Sequence, residues 1–392
     1  ESWQFSPQLN VICGDNGSGK TSLIEAIYVL ARGSSFRASQ LATLVQQNAQ
    51  PSDNTTRAAS GYAINTTIAQ QGINQSLQQV RSGRETQTLL NGQQALRRAE
   101  LAQLLPVQCV DSWLFEHTHE GAQRRRGFFD WALFYNEPVF WGNWQRYQRA
   151  LKQRNSALRS ALLQRMSAKA AQASIQAWDA ELASSGEALT AYRSAHIHTL
   201  QKLFQARLVN APLPAGELLL SSGWTSGLSL AEALQAQYES DLKLGYTQMG
   251  AHRADCRPLV KTTTVTSGVG KQEVSKEEAG KEIVKKEAVK EPVNDTSAYK
   301  PLRDRASRGQ VKSHTVLLAL LLCEQVAQHT RRAPLLLIDD FGAELDTTRQ
   351  QWLWQQLQTY TQQWGGQVII SSLQPEVLKV QTAKVDVRWL DL

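Results

Sequence analysis

A glycine-rich segment near the start of the chain has the residue types of a phosphate-binding loop. It comprises Gly14, Asp15, Asn16, Gly17, Ser18, Gly19, Lys20 and Thr21, with Ser22 directly after it. This order fits the pattern G-x-x-x-x-G-K-[ST], in which glycines let successive backbone N–H groups point at one anion. The lysine of such a loop contacts the β- and γ-phosphates of a nucleoside triphosphate, and the next hydroxyl binds Mg2+. We therefore predict that residues 14–22 bind a nucleotide, with Lys20 acting in catalysis and Thr21 as a metal ligand.

Two adjacent carboxylates near the other end of the chain have the chemistry to complete such a site. The apolar run Leu335–Ile338 predicts a buried strand, and Asp339 and Asp340 follow it directly. We predict that Asp339 holds Mg2+, directly or through water, and that Asp340 orients and polarises the attacking water. An apolar run that ends in two acids is, by itself, usually a strand leaving the core. The phosphate-binding loop elsewhere in the chain favours the functional interpretation.

A third segment has the residue types to bind an anion at the start of a helix. Ser307, Arg308, Gly309 and Gln310 precede a long apolar helical pattern over residues 311–327. The first N–H groups of a helix have no intrahelical acceptor, and a serine hydroxyl beside them adds a donor for phosphate. An ordinary N-cap is the simpler explanation of these four residues alone. Their position, one helix before the strand that ends in two aspartates, favours a nucleotide-binding role.

These segments need a scaffold that brings them together. Leu9–Cys13 is short and apolar, as expected of a buried strand, and residues 21–31 have the apolar spacing of a helix. Further strands are predicted at 335–338 and 368–370, with helical patterns between them. Strands that alternate with helices predict a parallel sheet with crossovers. The dipeptide Asn91–Gly92 predicts a hairpin in an antiparallel layer beside that sheet.

The composition indicates a soluble globular protein. The chain has 392 residues, of which 42% are apolar and 20% charged. The longest apolar run, 316–323, is too short to cross a bilayer, and no signal-peptide pattern opens the chain, so we expect no membrane partner. The net charge of +7 suits a nucleic-acid partner, although many soluble proteins carry such an excess.

The four cysteines carry no pattern of a metal site or a disulfide framework. Cys13, Cys109, Cys256 and Cys323 are far apart, and no C-x-x-C pair is present. We predict buried, reduced thiols, which suit a cytoplasmic protein.

Changes in residue usage divide the chain into five predicted segments. Residues 1–109 contain the phosphate-binding loop and form the first part of a head domain. Helical patterns dominate 110–249, which indicates an inserted helical arm or an ordinary helical subdomain. Residues 250–259 return to the head, 260–300 are a Lys/Glu-rich stretch predicted to be a flexible insertion, and 301–392 complete the head.

Several further segments resemble one family. The chain carries its characteristic residues at 16–22, 25–28, 35–37, 128–131, 136–138, 152–155 and 250–255. Together with the nucleotide motifs, they resemble the RecF family of ABC/SMC-type ATPases over nearly the whole chain outside the insertion. The resemblance implies an α/β fold, a P-loop ABC/SMC-type ATPase head with an inserted helical arm domain. It also implies that Ser307, Arg308, Gly309 and Gln310 form the signature segment of such ATPases.

The resemblance further implies a function in DNA recombination and replication. Members of the family bind ATP with Mg2+ and dimerise on it, so that each ATP lies between the phosphate-binding loop of one subunit and the signature segment of the other. They bind DNA at junctions of single and double strands, act with the mediators RecR and RecO, and support recombinase loading and the SOS response. A weak, DNA-dependent ATPase of the cytoplasm is therefore expected.

Other residues have two explanations each. Arg37 reaches the nucleotide phosphates or forms a surface salt bridge, and Gln108 senses metal and water or is a plain strand residue. The basic run 124–126 contacts DNA or is a solvated face. His252 has no histidine partner at ligand spacing, which favours a structural role. Asp346 caps a helix or meets the partner subunit.

The chain departs from the family at three places. The resemblance implies a first strand and a Phe-Arg-Asn segment before the region where this sequence starts, and we expect the strand to be absent. The insertion between Asp255 and Ser307 is longer than usual, and Ser371–Ser372 lies where many ABC ATPases have a switch histidine. Two alternatives stay open at this point: an ATPase subunit of a transporter or other machine, and a DNA-binding scaffold that does not hydrolyse ATP. An SMC- or Rad50-like tether needs hundreds of residues of heptads, and this arm is too short for it.

Overall fold

The computed structural model describes most of the chain outside the predicted insertion. It describes residues 2–37, 61–70, 72–83, 85–94, 98–111, 121–163, 167–261, 299–373, 378 and 387–392. The predicted flexible insertion at 260–300 lies outside the described residues except for its two ends.

Helices and strands alternate in the order expected of an α/β protein. The elements are β1 (Leu9–Cys13), α1 (Lys20–Arg32), β2 (Gly61–Gln70), β3 (Ile73–Ser82), β4 (Glu85–Leu90), β5 (Gln93–Gln94), α2 (Arg98–Leu104), β6 (Val107–Val110), α3 (Ala122–Asn136), α4 (Pro138–Leu162), α5 (Ala168–Leu208), β7 (Gly216–Ser221), α6 (Leu230–Ala236), α7 (Tyr238–Leu244), β8 (Asp255–Lys261), β9 (Tyr299–Pro301), α8 (Leu302–Arg305), α9 (Arg308–Thr330), β10 (Leu335–Ile338), α10 (Thr347–Trp364), β11 (Val368–Ser371) and β12 (Val387–Asp391).

A parallel sheet joins the two ends of the chain. Within the described residues its strand order is β12-β1-β11-β10-β6, and every pairing is parallel. Strand β11 therefore lies between the strand that leads to the phosphate-binding loop and the strand that leads to the two aspartates. The four strands other than β12 are buried along their whole length, as expected of a parallel sheet covered on both faces.

Side-chain alternation along the strands distributes the core between two layers. One face, with Val11 and Ile338, packs against α9 and α10, and the other, with Ile12 and Leu337, packs against α1. Helix α9 is buried along most of its length, and its central residues 316–323 are all apolar, which suits a helix enclosed by the protein core. The carboxyl ends of β1, β11, β10 and β6 consequently lie along a single edge of the sheet.

An antiparallel sheet of β2, β3, β4 and β5 lies beside α1. The turn between β4 and β5 is Asn91–Gly92, with φ of 51° and 79°. Two positive φ values define a type I′ hairpin turn, which confirms the predicted hairpin.

Two long antiparallel helices, α4 and α5, dominate the segment predicted to form the arm. A fully buried arginine ties them to α7, because Arg154 donates to Asp179 at 2.7 Å, to Asp241 at 2.6 Å and to Thr247 at 2.8 Å. Helix α3 packs under the parallel sheet through Phe128 and neighbouring aromatic residues. The exact division into head and arm remains a prediction.

Two further predictions concern burial and membranes. All four cysteines are buried, as predicted, and none of them forms a disulfide. Among the described residues, none of the helices is both long and apolar enough to span a bilayer.

Candidate functional site

The phosphate-binding loop turns on three glycines with backbone conformations that other residues rarely adopt. Gly14, Gly17 and Gly19 have φ of 146°, 86° and 108°. A side chain on Gly14 would also lie 2.6 Å from both the Leu392 carbonyl oxygen and the Ser18 hydroxyl. Backbone conformation thus favours glycine at all three positions, and lack of space requires it at Gly14 as well, as the motif predicted.

Helix α1 begins at the end of this loop with the properties of an anion-binding terminus. Gly19 occupies the N-cap without any side-chain hydrogen bond to the first turn, and that turn contains no acid. Its backbone N–H groups and the helix dipole therefore favour an anion. The Lys20 side chain is 8% exposed, and its Nζ donates to the carbonyl oxygens of Gly14 and Asp15, both at 2.7 Å. The ammonium group is thus held against the loop that it is predicted to serve.

The two distant motifs meet at a single contact. The Thr21 hydroxyl donates to Oδ1 of Asp339 at 3.1 Å, across 318 residues of sequence. The same carboxylate oxygen accepts from the Ser371 hydroxyl at 2.6 Å, and Asp339 is 6% exposed. The strand order explains the geometry, because β11 places Ser371 between the phosphate-binding loop and Asp339.

The second aspartate has an unusual backbone that is fixed at both sides. Asp340 has φ of 54°, in the left-handed region. Its N–H donates to the Ser371 hydroxyl at 2.7 Å, and its carbonyl oxygen accepts from Nζ of Lys312. Ser371 therefore joins the two aspartates by hydrogen bonds.

Lys312 is a residue of this site that the sequence analysis missed. It lies in the second turn of α9, is 5% exposed, and also donates to the Ala343 carbonyl oxygen at 3.1 Å. Burial lowers the pKa of Lys312, while the nearby carboxylates of Asp340, Glu344 and Asp339 act to raise it. Its only sequence signal was a lysine shortly before the apolar run 316–323 of the same helix.

The oxygen ligands fit a magnesium ion bound together with a nucleotide. A threonine hydroxyl and a carboxylate converge at Thr21 and Asp339, and oxygen is the ligand that Mg2+ prefers. No group of three or more His, Cys, Asp or Glu side chains in the described part of the chain is arranged to hold a metal ion. Mg2+ usually keeps several waters and is bound through one or two carboxylates and substrate phosphates, so a site for it does not require such a group.

The signature segment starts α9 as a capping box. The Ser307 hydroxyl accepts from the Gln310 N–H at 3.3 Å, and Gln310 Oε1 accepts from the Ser307 N–H at 2.9 Å. Gly309 packs so closely on the Glu344 carbonyl that a Cβ would collide with it, and Arg308 pairs with Glu344 at 3.2 Å. Ser307 and Arg308 are exposed, so the segment both caps its helix and faces outward.

Asp346 caps helix α10, which is one of the two roles predicted for it from the sequence. Its carboxylate accepts from the Arg349 N–H at 2.8 Å at the start of α10. The short acidic stretch 344–346 thus lies between the signature segment and this helix.

Two predicted nucleotide-binding residues lie away from the Thr21–Asp339 contact. Arg37 forms an ion pair with Glu25 at 4.0 Å, and its side chain is 53% exposed, which is the salt-bridge alternative. Gln108 pairs with Leu336 in the sheet, two residues before the end of β6, and is buried. Its Nε2 has no hydrogen-bond partner within the described residues. Within the described residues, no hydrogen bond joins either side chain to the phosphate-binding loop.

An acid at the same sheet edge was not predicted. Asp111 directly follows β6 and is 4% exposed. Burial raises the pKa of the Cys109 thiol, and the charges of Asp111 and Asp339 raise it further. Because β6 ends at Val110, Asp111 lies at the same carboxyl edge of the sheet as Asp339, and its acidic group adds to the negative character of that edge.

The basic run 124–126 was predicted to contact DNA or to be a solvated face, but two of its arginines bind acceptors within the protein. Arg125 forms a bidentate ion pair with Asp255 at 2.7 and 2.9 Å, and Arg126 donates to the Ala254 carbonyl. These contacts attach α3 to the start of β8. The sequence showed three adjacent cations, but their acceptors lie about 130 positions away.

His252 has the structural role that was expected. Its Nε2–H donates to the Thr247 carbonyl at 3.2 Å, so in the neutral ring Nδ1 accepts from the Tyr147 hydroxyl at 2.7 Å. Burial lowers the pKa of His252 to about 4, which keeps the ring neutral.

Comparison with known proteins identifies similar sequences over almost the full length. The profile of the RecF/RecN/SMC N terminal domain family matches residues 1–390. The DNA replication and repair protein RecF of Shewanella baltica (strain OS155) is 32% identical over 375 residues, which cover 95% of this chain and 88% of that protein. RecF of Aliivibrio fischeri (strain MJ11) has the same identity and coverage.

A solved structure has the same fold. The recombination mediator protein RecF with ATP, of the RecFOR pathway, superimposes with a TM-score of 0.70 over 98% of this chain and 89% of that one, at 20% identity. The similarity confirms the predicted fold class, an α/β P-loop head of the ABC/SMC type.

Proposed function

Because this chain belongs to the RecF family, within the RecF/RecN/SMC N terminal domain group, we propose that it is an ATP-dependent DNA-binding protein of DNA repair and replication. The observation that carries the proposal is the contact of Thr21 with Asp339, which unites two motifs from opposite ends of the chain. A relative named for DNA replication and repair, and a similar structure named with ATP, support the same function.

In the proposed reaction, ATP binds at the start of α1. Backbone N–H groups of residues 14–22 and the Lys20 ammonium hold its phosphates. Thr21 and Asp339 hold Mg2+, which when bound neutralises phosphate charge. Asp340 orients the attacking water and accepts its proton. The Ser371 hydroxyl keeps the Asp339 carboxylate and the Asp340 backbone in a fixed relation, since it donates to that carboxylate and accepts from the Asp340 N–H.

We place the signature segment on the ATP of a second copy. Ser307 is exposed at the start of α9, and the positive end of the helix dipole is next to it. A dimer that encloses two ATP molecules in this way closes on ATP binding and opens on hydrolysis. We expect weak, DNA-dependent turnover, because a closed state that acts as a switch has to persist.

The proposed macromolecular partners are DNA and the recombination mediators RecR and RecO. The net charge of +7 favours contact with a polyanion, and the closed dimer would bind DNA at junctions of single and double strands. Recombinase loading and SOS induction follow as the proposed outcome, and the cytoplasm is the proposed location.

DNA binding is expected to depend on both salt and nucleotide. If the dimer neutralises about six phosphates, its affinity for gapped duplex falls roughly 10³-fold between 50 and 200 mM salt. Fluorescence anisotropy with gapped and intact duplexes, with and without Mg-ATP, measures this directly. ATP should tighten binding, most strongly on gapped DNA, and Lys20→Ala should remove the ATP effect. A flat salt response, or equal affinity with and without ATP in the parent chain, would contradict the proposal.

The same samples separate the enzyme from a scaffold that does not hydrolyse ATP. A scaffold would bind DNA in response to ATP and produce no more phosphate than Lys20→Ala. Phosphate release above that of the variant supports the enzyme.

A further inference from the structure

A buried lysine connects the signature helix to the backbone of the second aspartate. Lys312 lies in α9, five residues after Ser307, and its Nζ donates to the carbonyl oxygens of Asp340 and Ala343. At 5% exposure its side chain is enclosed by these groups. A charged or polar amine so deeply buried is costly unless its hydrogen bonds are made, so this contact is strongly specified.

The carbonyl that Lys312 binds belongs to a strained residue. Asp340 has φ of 54°, in the left-handed region that non-glycine residues rarely adopt, although aspartate tolerates it better than most. Its N–H is bound by Ser371 and its carbonyl by Lys312 and by the Ala343 N–H at 3.1 Å. The peptide groups on both sides of Asp340 are therefore held by side chains from two other elements.

The start of α9 has further contacts with the same stretch. Gly309 packs on the Glu344 carbonyl, and Arg308 pairs with the Glu344 side chain. The first turns of α9 and residues 340–344 consequently form one packed unit. A shift of the exposed Ser307 would be transmitted through this unit to the backbone of Asp340.

We propose that Lys312 is a positioning residue for ATP hydrolysis, which fixes the direction of the Asp340 carboxylate and couples it to the state of the signature segment. This inference rests on the proposed ATPase function. It gives a route within one subunit from the surface expected to meet the partner's nucleotide to the residue expected to orient water. A purely structural lysine would stabilise the fold without affecting hydrolysis selectively.

The two roles make different predictions for substitution. Lys312→Met keeps the length and apolar volume of the side chain but removes both donors. It is expected to lower the single-turnover rate of hydrolysis about 10- to 100-fold, as expected of a misplaced reacting group, with little change in ATP affinity. Lys312→Arg retains donors and is expected to recover part of the rate.

Stability and backbone order provide the controls. Leu321→Ala, in the core of the same helix and 1% exposed, is expected to destabilise the fold while leaving the hydrogen bonds of Lys312 to residues 340 and 343 in place. It should hydrolyse ATP at nearly the parent rate below its melting temperature. Amide hydrogen exchange of a peptide spanning residues 335–345, measured without nucleotide, should increase in Lys312→Met and stay unchanged in Leu321→Ala.

The outcomes distinguish this inference from the proposed function. Faster exchange together with selective loss of hydrolysis supports the positioning role. Unchanged exchange and hydrolysis in Lys312→Met, or an equal loss of rate in Leu321→Ala, would overturn it. A parent chain that does not hydrolyse ATP overturns the proposed ATPase, whereas the exchange result still reports whether Lys312 orders residues 340–344.

Discussion

Replacing Lys20 by alanine is expected to weaken ATP binding about 10- to 100-fold and to lower hydrolysis by at least about 100-fold. Loss of a hydrogen bond to a charged group accounts for the first effect, and loss of charge stabilisation at the transferred phosphate for the second. The Lys20 ammonium lies against the carbonyls of Gly14 and Asp15, at the loop where the phosphates would bind. Titration with a fluorescent ATP analogue and single-turnover phosphate release measure the two effects separately.

The fold should survive this substitution. Lys20 is the first residue of α1, and alanine is the best helix former, so the helix is retained. Lys169→Ala, at an exposed position of α5, is the matched control and should bind and hydrolyse ATP normally. Tight ATP binding by Lys20→Ala would show that the nucleotide binds elsewhere.

Asp340→Asn is expected to separate hydrolysis from binding. Removing a group that orients water and accepts its proton should lower the hydrolysis rate about 10²- to 10⁴-fold. ATP affinity should change little, because this carboxylate acts on the water and not on the bound phosphates. The ATP-bound dimer should accumulate, which sedimentation velocity would detect.

The comparison with Asp339→Asn makes the assignment of the two aspartates testable. Asparagine tolerates the left-handed conformation of residue 340, so the variant should not strain the backbone. Asp339→Asn removes a proposed metal ligand, and it should weaken ATP binding in Mg2+ as well as hydrolysis. Asp304→Asn, an exposed acid in α8, should behave as the parent chain. Parent-like hydrolysis by Asp340→Asn would transfer the catalytic role to another residue.

The convergence of the two motifs could be predicted because strand geometry dictates it. A loop after one buried strand and carboxylates after another lie at the same edge if the strands are parallel members of one sheet, since their carboxyl ends share that edge. The sequence contained both strands and both motifs. The capping box at Ser307 and Gln310 can also be predicted from the sequence, because it depends only on residues three apart.

The residues that join the motifs could not be predicted in the same way. Periodicity does not give strand order, so it could not show that β11 lies between β1 and β10 and brings Ser371 to both aspartates. Lys312 is one cation near the start of a long helix. Its role depends on the carbonyl oxygens of residues 340 and 343, which are distant in the sequence and accept its hydrogen bonds.

The interpretation of the basic run 124–126 was incomplete because the acceptors of two of its arginines are distant in the sequence. Arg125 and Arg126 formed part of a basic run, and a run of cations normally indicates a solvated or DNA-binding face. Their acceptors at Asp255 and Ala254 come from a distant strand. Gln108 shows the same limit, since its depth below the sheet edge depends on the register with Leu336.

The central claim is that one triphosphate and one metal ion lie between the phosphate-binding loop and Asp339. A crystal structure with a non-hydrolysable ATP analogue and Mn2+ in place of Mg2+ tests it most directly, because the anomalous signal locates the metal. The prediction is a single strong peak about 2.1 Å from the Thr21 hydroxyl oxygen, with the Asp339 carboxylate bound to it directly or through one water. A metal peak remote from both residues, or phosphates outside the loop of residues 14–21, would contradict the account.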